Sequence, residues 1–436
     1  MRLTKIRLTN FKCFADSGEI PIAPLTMVFG RNNSGKSSIL QSLLLLRQTL
    51  DSPEYGPRLN LGGPLYTVGS YGDIVHQHRS KRHITMRFAL TVPKAKEPGE
   101  LELVFSADEP QPPRLARLAI RCQGAQPLVI RRGKGRGGPY EMTIGGKSLG
   151  GEARAGFFFA PSRFFPFLAK EPRRVGRPST KRDESRRASA PLLWWFEELL
   201  RGLRAVGAFR QQPLRRYEYA GRVPHVMDVV GKNVVNALIE DSTRRGGGQL
   251  LTNVNEWLKA VGRVRLMPPR RISPRAKLFE VRLKDLGSGQ WASFADVGFG
   301  IGQALPVFVE GLRTPKGGTF VVQEPEIHLH PDAQLGMADF LVSLARSGRN
   351  VIAETHSENF LLRIRRSVLR RRGRARSRLR AADVSIIYVD RRQDGSSRTR
   401  ALEMDETGQI KNWPRGFMEE ATAERMELLS DMAKVK

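Results

Sequence analysis

Residues 30–37 read Gly30-Arg-Asn-Asn-Ser-Gly-Lys-Ser37, which fits the pattern G-x-x-x-x-G-K-S at every position. The preceding stretch, Leu25-Thr-Met-Val-Phe29, is a short apolar run ending at a glycine, as a buried strand does. The following stretch, Ser38 to Leu50, has helical spacing and strong helix formers. A glycine-rich loop between a strand and a helix is the setting of a phosphate-binding loop. Glycines let backbone N–H groups crowd around phosphate oxygens, and the helix N-terminus adds a partial positive charge. Lys36 is expected to reach the β- and γ-phosphates of ATP, and Ser37 to ligate Mg2+. Gly30, Asn32, Asn33, Ser34, Gly35 and Ser38 complete the expected cradle.

Composition bounds the rest. At 436 residues and 40% hydrophobic, the chain can bury one large core or two smaller ones. Lys plus Arg is 73 against 43 for Asp plus Glu, a net charge of +30. Such an excess fits a polyanionic partner, DNA or RNA, and equally an Arg-rich solvated surface. Two cysteines, Cys13 and Cys122, support neither a disulfide framework nor a zinc site and read as packing residues. The start, Met1-Arg-Leu-Thr-Lys-Ile-Arg7, has no apolar signal region. No apolar stretch approaches the ~18 residues that span a bilayer, so a cytoplasmic protein without a membrane partner is expected.

Residues 2–10 alternate as a half-buried strand does. Further strand-like runs cover Ile84 to Val92, Leu101 to Phe105, Ala116 to Arg121 and Pro127 to Arg132, separated by turns, so an antiparallel layer is expected. Pro166 to Ala190 is basic and carries proline and serine, as loops do. Leu192 to Val206, Val229 to Arg244 and Leu251 to Val261 look helical, and Phe279 to Leu283 looks like a strand.

Three more motifs follow. In Phe320-Val-Val-Gln-Glu-Pro-Glu-Ile-His-Leu-His-Pro331 an apolar strand ends in acids. Such a strand is expected beside the phosphate-loop strand, with Glu324 orienting or deprotonating the attacking water. In Asn350-Val-Ile-Ala-Glu-Thr-His-Ser-Glu358 another strand ends in polar residues, and His356 is placed to meet the γ-phosphate. In Asp296-Val-Gly-Phe-Gly-Ile-Gly-Gln303 three glycines precede an apolar helix, a second set of backbone amides suited to phosphate. One nucleotide rarely needs two such elements, so the second is expected to act on a partner subunit's nucleotide.

With these motifs quoted, the chain resembles the ABC-type ATPase class that includes the SMC, RecF and OLD families. It is most similar to compact bacterial AAA-family ATPases of defence islands. The matching stretches are Leu8-Thr-Asn-Phe-Lys-Cys-Phe14, the phosphate loop, Glu324-Pro-Glu-Ile-His-Leu-His-Pro331, Asp296 to Gln303, Glu354-Thr-His-Ser-Glu358 and the tail Ile410-Lys-Asn-Trp-Pro-Arg-Gly-Phe417. The resemblance covers both ends of the chain and the middle only loosely. It implies a P-loop α/β head with a mixed sheet, helices and an antiparallel β layer, plus a mainly helical insertion. It further implies a head-to-tail sandwich, with Gly298, Phe299, Gly300, Gly302 and Gln303 contacting ATP in trans. The implied metal ligands are Ser37, Gln323 and Glu324; the implied catalytic groups are Glu324, His356 and Lys36. One departure matters: Gln323 stands where the class carries its first strand-end acid, and an amide holds Mg2+ less well than a carboxylate. Another is His330, which stands where the class often has an aspartate.

The expected organisation is an ATPase lobe over 1–160, a basic, mainly helical insertion over 161–275, a second ATPase lobe over 276–395 and an extension over 396–436. His328 and His330 near Glu324 and Glu326 invite a metal reading, but cysteine partners are absent and the ATPase motif already accounts for the segment. Residues 363–380 hold ten arginines and no acid, without interleaved aromatics, so any nucleic-acid contact there would be to phosphates. Asp390, Asp394 and Asp405 do not form the acid cluster of the Toprim nuclease that OLD-family proteins carry. The expected function is slow ATP hydrolysis that closes a homodimer or higher even oligomer and gates a separate effector, a nuclease or toxin, in DNA surveillance or anti-phage defence. Two other functions compete: a DNA repair or recombination clamp, and a nucleotide-locked scaffold. A transporter ATPase is disfavoured.

Overall fold

The computed structural model describes residues 2–52, 58–92, 95–108, 110–133, 140–148, 195–224, 227–273, 277–369, 379–414, 417–418, 424 and 426–428. Its first sheet is antiparallel. It contains β1 (Leu3–Phe11), β2 (Phe14–Asp16) and β3 (Ile20–Pro21), then β5 to β10 after the strand β4 (Leu25–Gly30) has left for a second sheet. These six are β5 (Ile84–Leu90), β6 (Gly99–Asp108), β7 (Gln111–Arg121), β8 (Leu128–Arg132), β9 (Tyr140–Ile144) and β10 (Lys147–Ser148). Among the described residues the order is β10-β9-β8-β7-β6-β5-β1-β2, with β3 also on β1. The antiparallel layer expected from residues 84–132 is therefore present, and it extends by β9 and β10 at one end and by β1, β2 and β3 at the other.

The second sheet carries the site. Its order is β11 (Arg204–Val206), β18 (Thr319–Gln323), β19 (Asn350–Glu354), β4, β20 (Val384–Arg391) and β21 (Ser397–Leu402). All neighbours are parallel except β20 and β21. Strand residues alternate between the two faces, and the two cores follow that alternation. Val28, Val321, Ile352 and Ile387 join helix α1 (Lys36–Leu50) and the antiparallel sheet in one cluster. Leu25, Met27, Phe29, Phe320, Val322, Val351, Ala353 and Ile386 join the other. There they pack with α2 (Val234–Thr243), α3 (Gln249–Gly262), α4 (Phe299–Arg313), α5 (Pro331–Arg346) and α6 (Glu358–Leu369). The order is thus antiparallel sheet, α1, parallel sheet, helices.

Four expectations need correction. First, β18 does not lie beside β4: β19 stands between them, pairing Val351 to Leu25 on one side and Phe320 on the other. Both strands are short apolar runs, and nothing in either run reveals which is central. Second, helix occupies only residues 195–201 of the stretch Leu192 to Val206, and residues 192–194 lie outside the described residues. Gly202 ends that helix with its N–H on Glu198 O, and Arg204–Val206 then finds the open edge of β18. Third, Phe279 to Leu283 is two strands, β15 (Leu278–Glu280) and β16 (Arg282–Asp285), parted at Val281. They belong to small three-stranded sheets with β12 (Tyr217–Glu218) and β14 (Arg270–Arg271), and with β13 (Val264–Leu266) and β17 (Trp291–Ser293). Fourth, α2 and α3, read as part of an insertion, share the core of α4 and α5, which crosses the 275/276 division.

The loop Pro166 to Ala190 lies outside the described residues, as do Arg370, Arg371, Arg372, Arg374 and the rest of 370–378. In the described part of the arginine segment, Arg363 pairs with Asp339, Arg380 pairs with Asp383, and Arg365 donates to Gly408 O at 2.7 Å. These three arginines act within the chain. In the tail, Phe417 packs edge-on to Phe29 with ring centres 5.5 Å apart, under the phosphate-loop strand. No helix among the described residues is long and apolar enough to cross a membrane.

Candidate active site

The loop between β4 and α1 is built on backbone that only glycine adopts easily. Gly30 has φ +150, and a Cβ there would lie 2.4 Å from Val389 O. Gly35 has φ +99, and a Cβ there would lie 2.0 Å from Cys13 Sγ. The loop is braced from behind by Ser397, whose Oγ donates to Ser34 O at 2.6 Å and whose N–H donates to Cys13 O at 2.8 Å. Arg31, Asn32 and Asn33 are exposed at its tip, Asn33 with φ 60. The first turn of α1 contains no acid to compete for its free amides. Lys36 is buried, and its Nζ donates to Arg31 O at 3.0 Å. Burial lowers the Lys36 pKa, while Glu354, Glu324 and Glu326 act to raise it.

The carboxylate beside Ser37 comes from a strand that sequence reasoning did not use for it. Ser37 Oγ donates to Glu354 Oε1 at 2.7 Å, and Gln323 Nε2 donates to Glu354 Oε2 at 2.9 Å. Ser37 and Gln323 are therefore brought together as expected, but through Glu354. The residue was legible as the acid closing the run Val-Ile-Ala-Glu354, directly before His356.

Glu324 begins the loop after β18 with φ 45, a left-handed conformation that costs energy outside glycine. Two bonds hold it there. Its N–H donates to Glu354 O at 2.8 Å, and its carbonyl accepts from Arg210 Nη2 at 2.9 Å. Its Oε1 lies 3.2 Å from His356 Nε2. Burial, with Glu326 and Glu354 nearby, pushes the Glu324 carboxyl up to about 8. Burial and Lys36 push His356 down. Both shifts favour the uncharged forms, so the contact is a hydrogen bond between largely neutral groups rather than a strong ion pair.

Glu326 and Arg210 fix this geometry; sequence reasoning noted Glu326 only beside Glu324 and missed Arg210. Glu326 Oε1 accepts from Thr355 Oγ1 at 2.5 Å, His356 N at 2.7 Å and Ser357 N at 3.1 Å. Through this one oxygen it ties down the loop that carries His356. Arg210 is buried, and its guanidinium donates to the carbonyls of Gly207, Gln303, Gln323 and Glu324. Burial lowers its pKa to about 10. No local pattern around Arg210 marks it, because its partners are backbone oxygens about a hundred residues away.

The glycine motif is split between surface and interior. Gly298 and Phe299 are exposed at the start of α4, and a Cβ on Gly298 would meet nothing within 4 Å. Gly300 and Gly302 face the chain itself: a Cβ would lie 2.7 Å from His328 O and 2.6 Å from Pro213 Cγ respectively. Gln303 is 2% exposed and bonded to Arg210. Gly302 and Gln303, expected at a nucleotide, therefore serve the inner face of α4. His328 stacks edge-on against Phe299 at 4.5 Å, and His330 caps α5 by accepting from Asp332 N.

With the geometry in place, likeness to known proteins can be stated. Residues 1–86 and 243–361 match the family model of the AAA ATPase domain. Over those residues, just under half of the chain, it is similar to AAA ATPase domains. The match holds the phosphate loop, Glu324 and His356 together and identifies an ATPase that binds nucleotide. Residues 379–428 match a family described only as a protein of unknown function, DUF3696. Solved SMC heads are similar in outline. A head bound to the C-terminal winged-helix domain of ScpA shares 12% identity, with a TM-score of 0.48 over 93% of this chain and 99% of that chain. The SMC head domain from Thermotoga maritima shares 11% identity, with a TM-score of 0.42 over 93% of this chain and 100% of that chain. No curated protein matches the ATPase at a significant level.

Proposed function

We propose that this ATPase binds ATP with Mg2+, closes head to tail as a dimer, hydrolyses slowly, and through closure gates a separate effector protein. One observation carries the nucleotide chemistry: Lys36, Ser37, Glu324 and His356 converge at the C-terminal edge of neighbouring parallel strands. The residues fit the ion, since a hydroxyl and a buried carboxylate are hard oxygen donors 2.7 Å apart. When bound, Mg2+ neutralises phosphate charge. Lys36 holds the β- and γ-phosphates, Glu324 takes the proton of the attacking water, and His356 orients Glu324 through the contact already present. In the nucleotide-free chain burial and the neighbouring acids favour the protonated form of Glu324, which must give up that proton to act as a base. Closure is supported by the exposed start of α4, where Gly298 and Phe299 lie at the surface.

A second reading, direct contact with DNA or RNA, has one observation in its favour. Trp291 is 44% exposed on β17, with Arg282 and Lys284 over its ring at 5.9 and 5.5 Å. Sedimentation and ATP turnover, each measured with and without DNA, test both readings. ATP-dependent dimerisation with DNA-independent turnover is the expected result. A protein that stays monomeric with ATP, even with Glu324→Gln, would overturn the closure.

A further inference from the structure

Hydrolysis by Glu324 leaves the carboxylate of Glu354 free for a separate task. It ends β19, is 5% exposed and uses both carboxylate oxygens, one toward Ser37 and one toward Gln323. A P-loop site needs an anionic group close to the serine hydroxyl, because the divalent ion is held by oxygen and by charge. Strand β18 cannot supply it there, since its last residue, Gln323, ends in a neutral amide. Glu354 stands one strand closer to the phosphate loop at the same level of the sheet: its Cα partners are Gln323 on β18 and Val28 on β4. The serine hydroxyl holds its carboxylate from the loop side and the glutamine amide from the strand side. A mere packing role does not call for a charge here, because a neutral glutamine could also bridge a hydroxyl and an amide.

Resting on the ATPase reading above, we infer that Glu354, rather than a residue of β18, is the anionic group of the Mg2+ site. Gln323 positions it, and Glu324 is left to the water alone. The amide at 323 then does not leave the site short of charge, because the neighbouring strand supplies the carboxylate.

The test uses Mn2+ as the probe ion, counted by its EPR signal in the presence of AMPPNP. Glu354→Gln is expected to weaken Mn2+ about ten-fold or more. Its AMPPNP affinity in EDTA should match the wild type. The exchange variant Gln323→Glu/Glu354→Gln returns the carboxylate to β18 and should bind Mn2+ within a few-fold of the wild type. Unchanged Mn2+ affinity in folded Glu354→Gln overturns the assignment while leaving the ATPase reading intact. If Glu354→Gln does not fold, the exchange variant decides: a loss of about ten-fold or more in Mn2+ affinity overturns the assignment, and near-wild-type affinity supports it. A wild type that binds no AMPPNP, with or without Mn2+, overturns both.

Discussion

Glu324 and His356 meet at 3.2 Å from the ends of two neighbouring parallel strands, and burial shifts both toward their uncharged forms. Removing the carboxyl while keeping its shape isolates its function. Glu324→Gln should bind ATP with unchanged affinity, lose about 10²–10⁴-fold in hydrolysis and accumulate as a closed dimer. Sedimentation with ATP and a turnover assay check this. Hydrolysis at the wild-type rate would remove Glu324 from the mechanism and point to Glu326, whose Oε1 braces the loop carrying His356 while its Oε2 has no hydrogen-bond partner among the described residues.

The same carboxyl predicts a pH dependence of the nucleotide-free protein. Glu324 is raised from 4.5 to about 8 on folding. A carboxyl raised in this way contributes stability that is full below pH 4.5 and is lost as pH climbs through about 8. Wild type should therefore lose stability relative to Glu324→Gln across that window, by up to a few kcal/mol. Paired thermal melts at pH 5 and pH 9 measure the difference. A gap that does not widen with pH would mean that the carboxyl is not held protonated.

Glu326 makes a prediction of a different kind. Glu326→Ala leaves Thr355, His356 N and Ser357 N without their buried acceptor. The cost to stability should be about 2–4 kcal/mol, from buried donors left unpaired. Hydrolysis should fall because His356 is no longer placed, while nucleotide affinity stays within a few-fold. A lowered melting temperature with full turnover would show that the loop finds its position without Glu326.

The lysine of the phosphate loop gives the simplest variant. Lys36→Ala removes a charge-assisted contact to the phosphates, which should cost a few kcal/mol of ATP binding. It also removes a buried cation from among three carboxylates. A binding titration with unchanged affinity would contradict the assignment of the loop.

Much of this site was legible because phosphate chemistry leaves local marks. Gly30, Gly35, Lys36 and Ser37 are adjacent in sequence, and the left-handed glycines there are demanded by close approach. Glu324 and His356 each follow an apolar strand, which is also a local sign. Strand order was not legible, since β18 and β19 are equally short, apolar and parallel. That one ambiguity hid the carboxylate beside Ser37: with β18 placed beside β4, Gln323 looked like a gap, whereas β19 brings Glu354 against the serine. Arg210 was illegible for another reason. Its partners are backbone oxygens, which every residue has, so its role exists only in the folded chain.

The glycine motif shows why the folded chain must choose the variant. Gly300 would seem the natural place to block contact with a partner's nucleotide. A side chain there, however, would strike His328 O at 2.7 Å within its own subunit, so any loss of activity would be ambiguous. Gly298 is exposed, with nothing within 4 Å of a Cβ. Gly298→Asp should therefore fold and bind ATP as the wild type does. It should nevertheless lose hydrolysis, because a carboxylate at the helix start repels the phosphate expected from the partner subunit. Mixed with Lys36→Ala, it should recover part of the wild-type turnover. In the mixed dimer one site pairs the intact phosphate loop of the Gly298→Asp subunit with the intact helix start of the Lys36→Ala subunit. Turnover that stays at the level of the two separate variants would rule out a site shared between subunits.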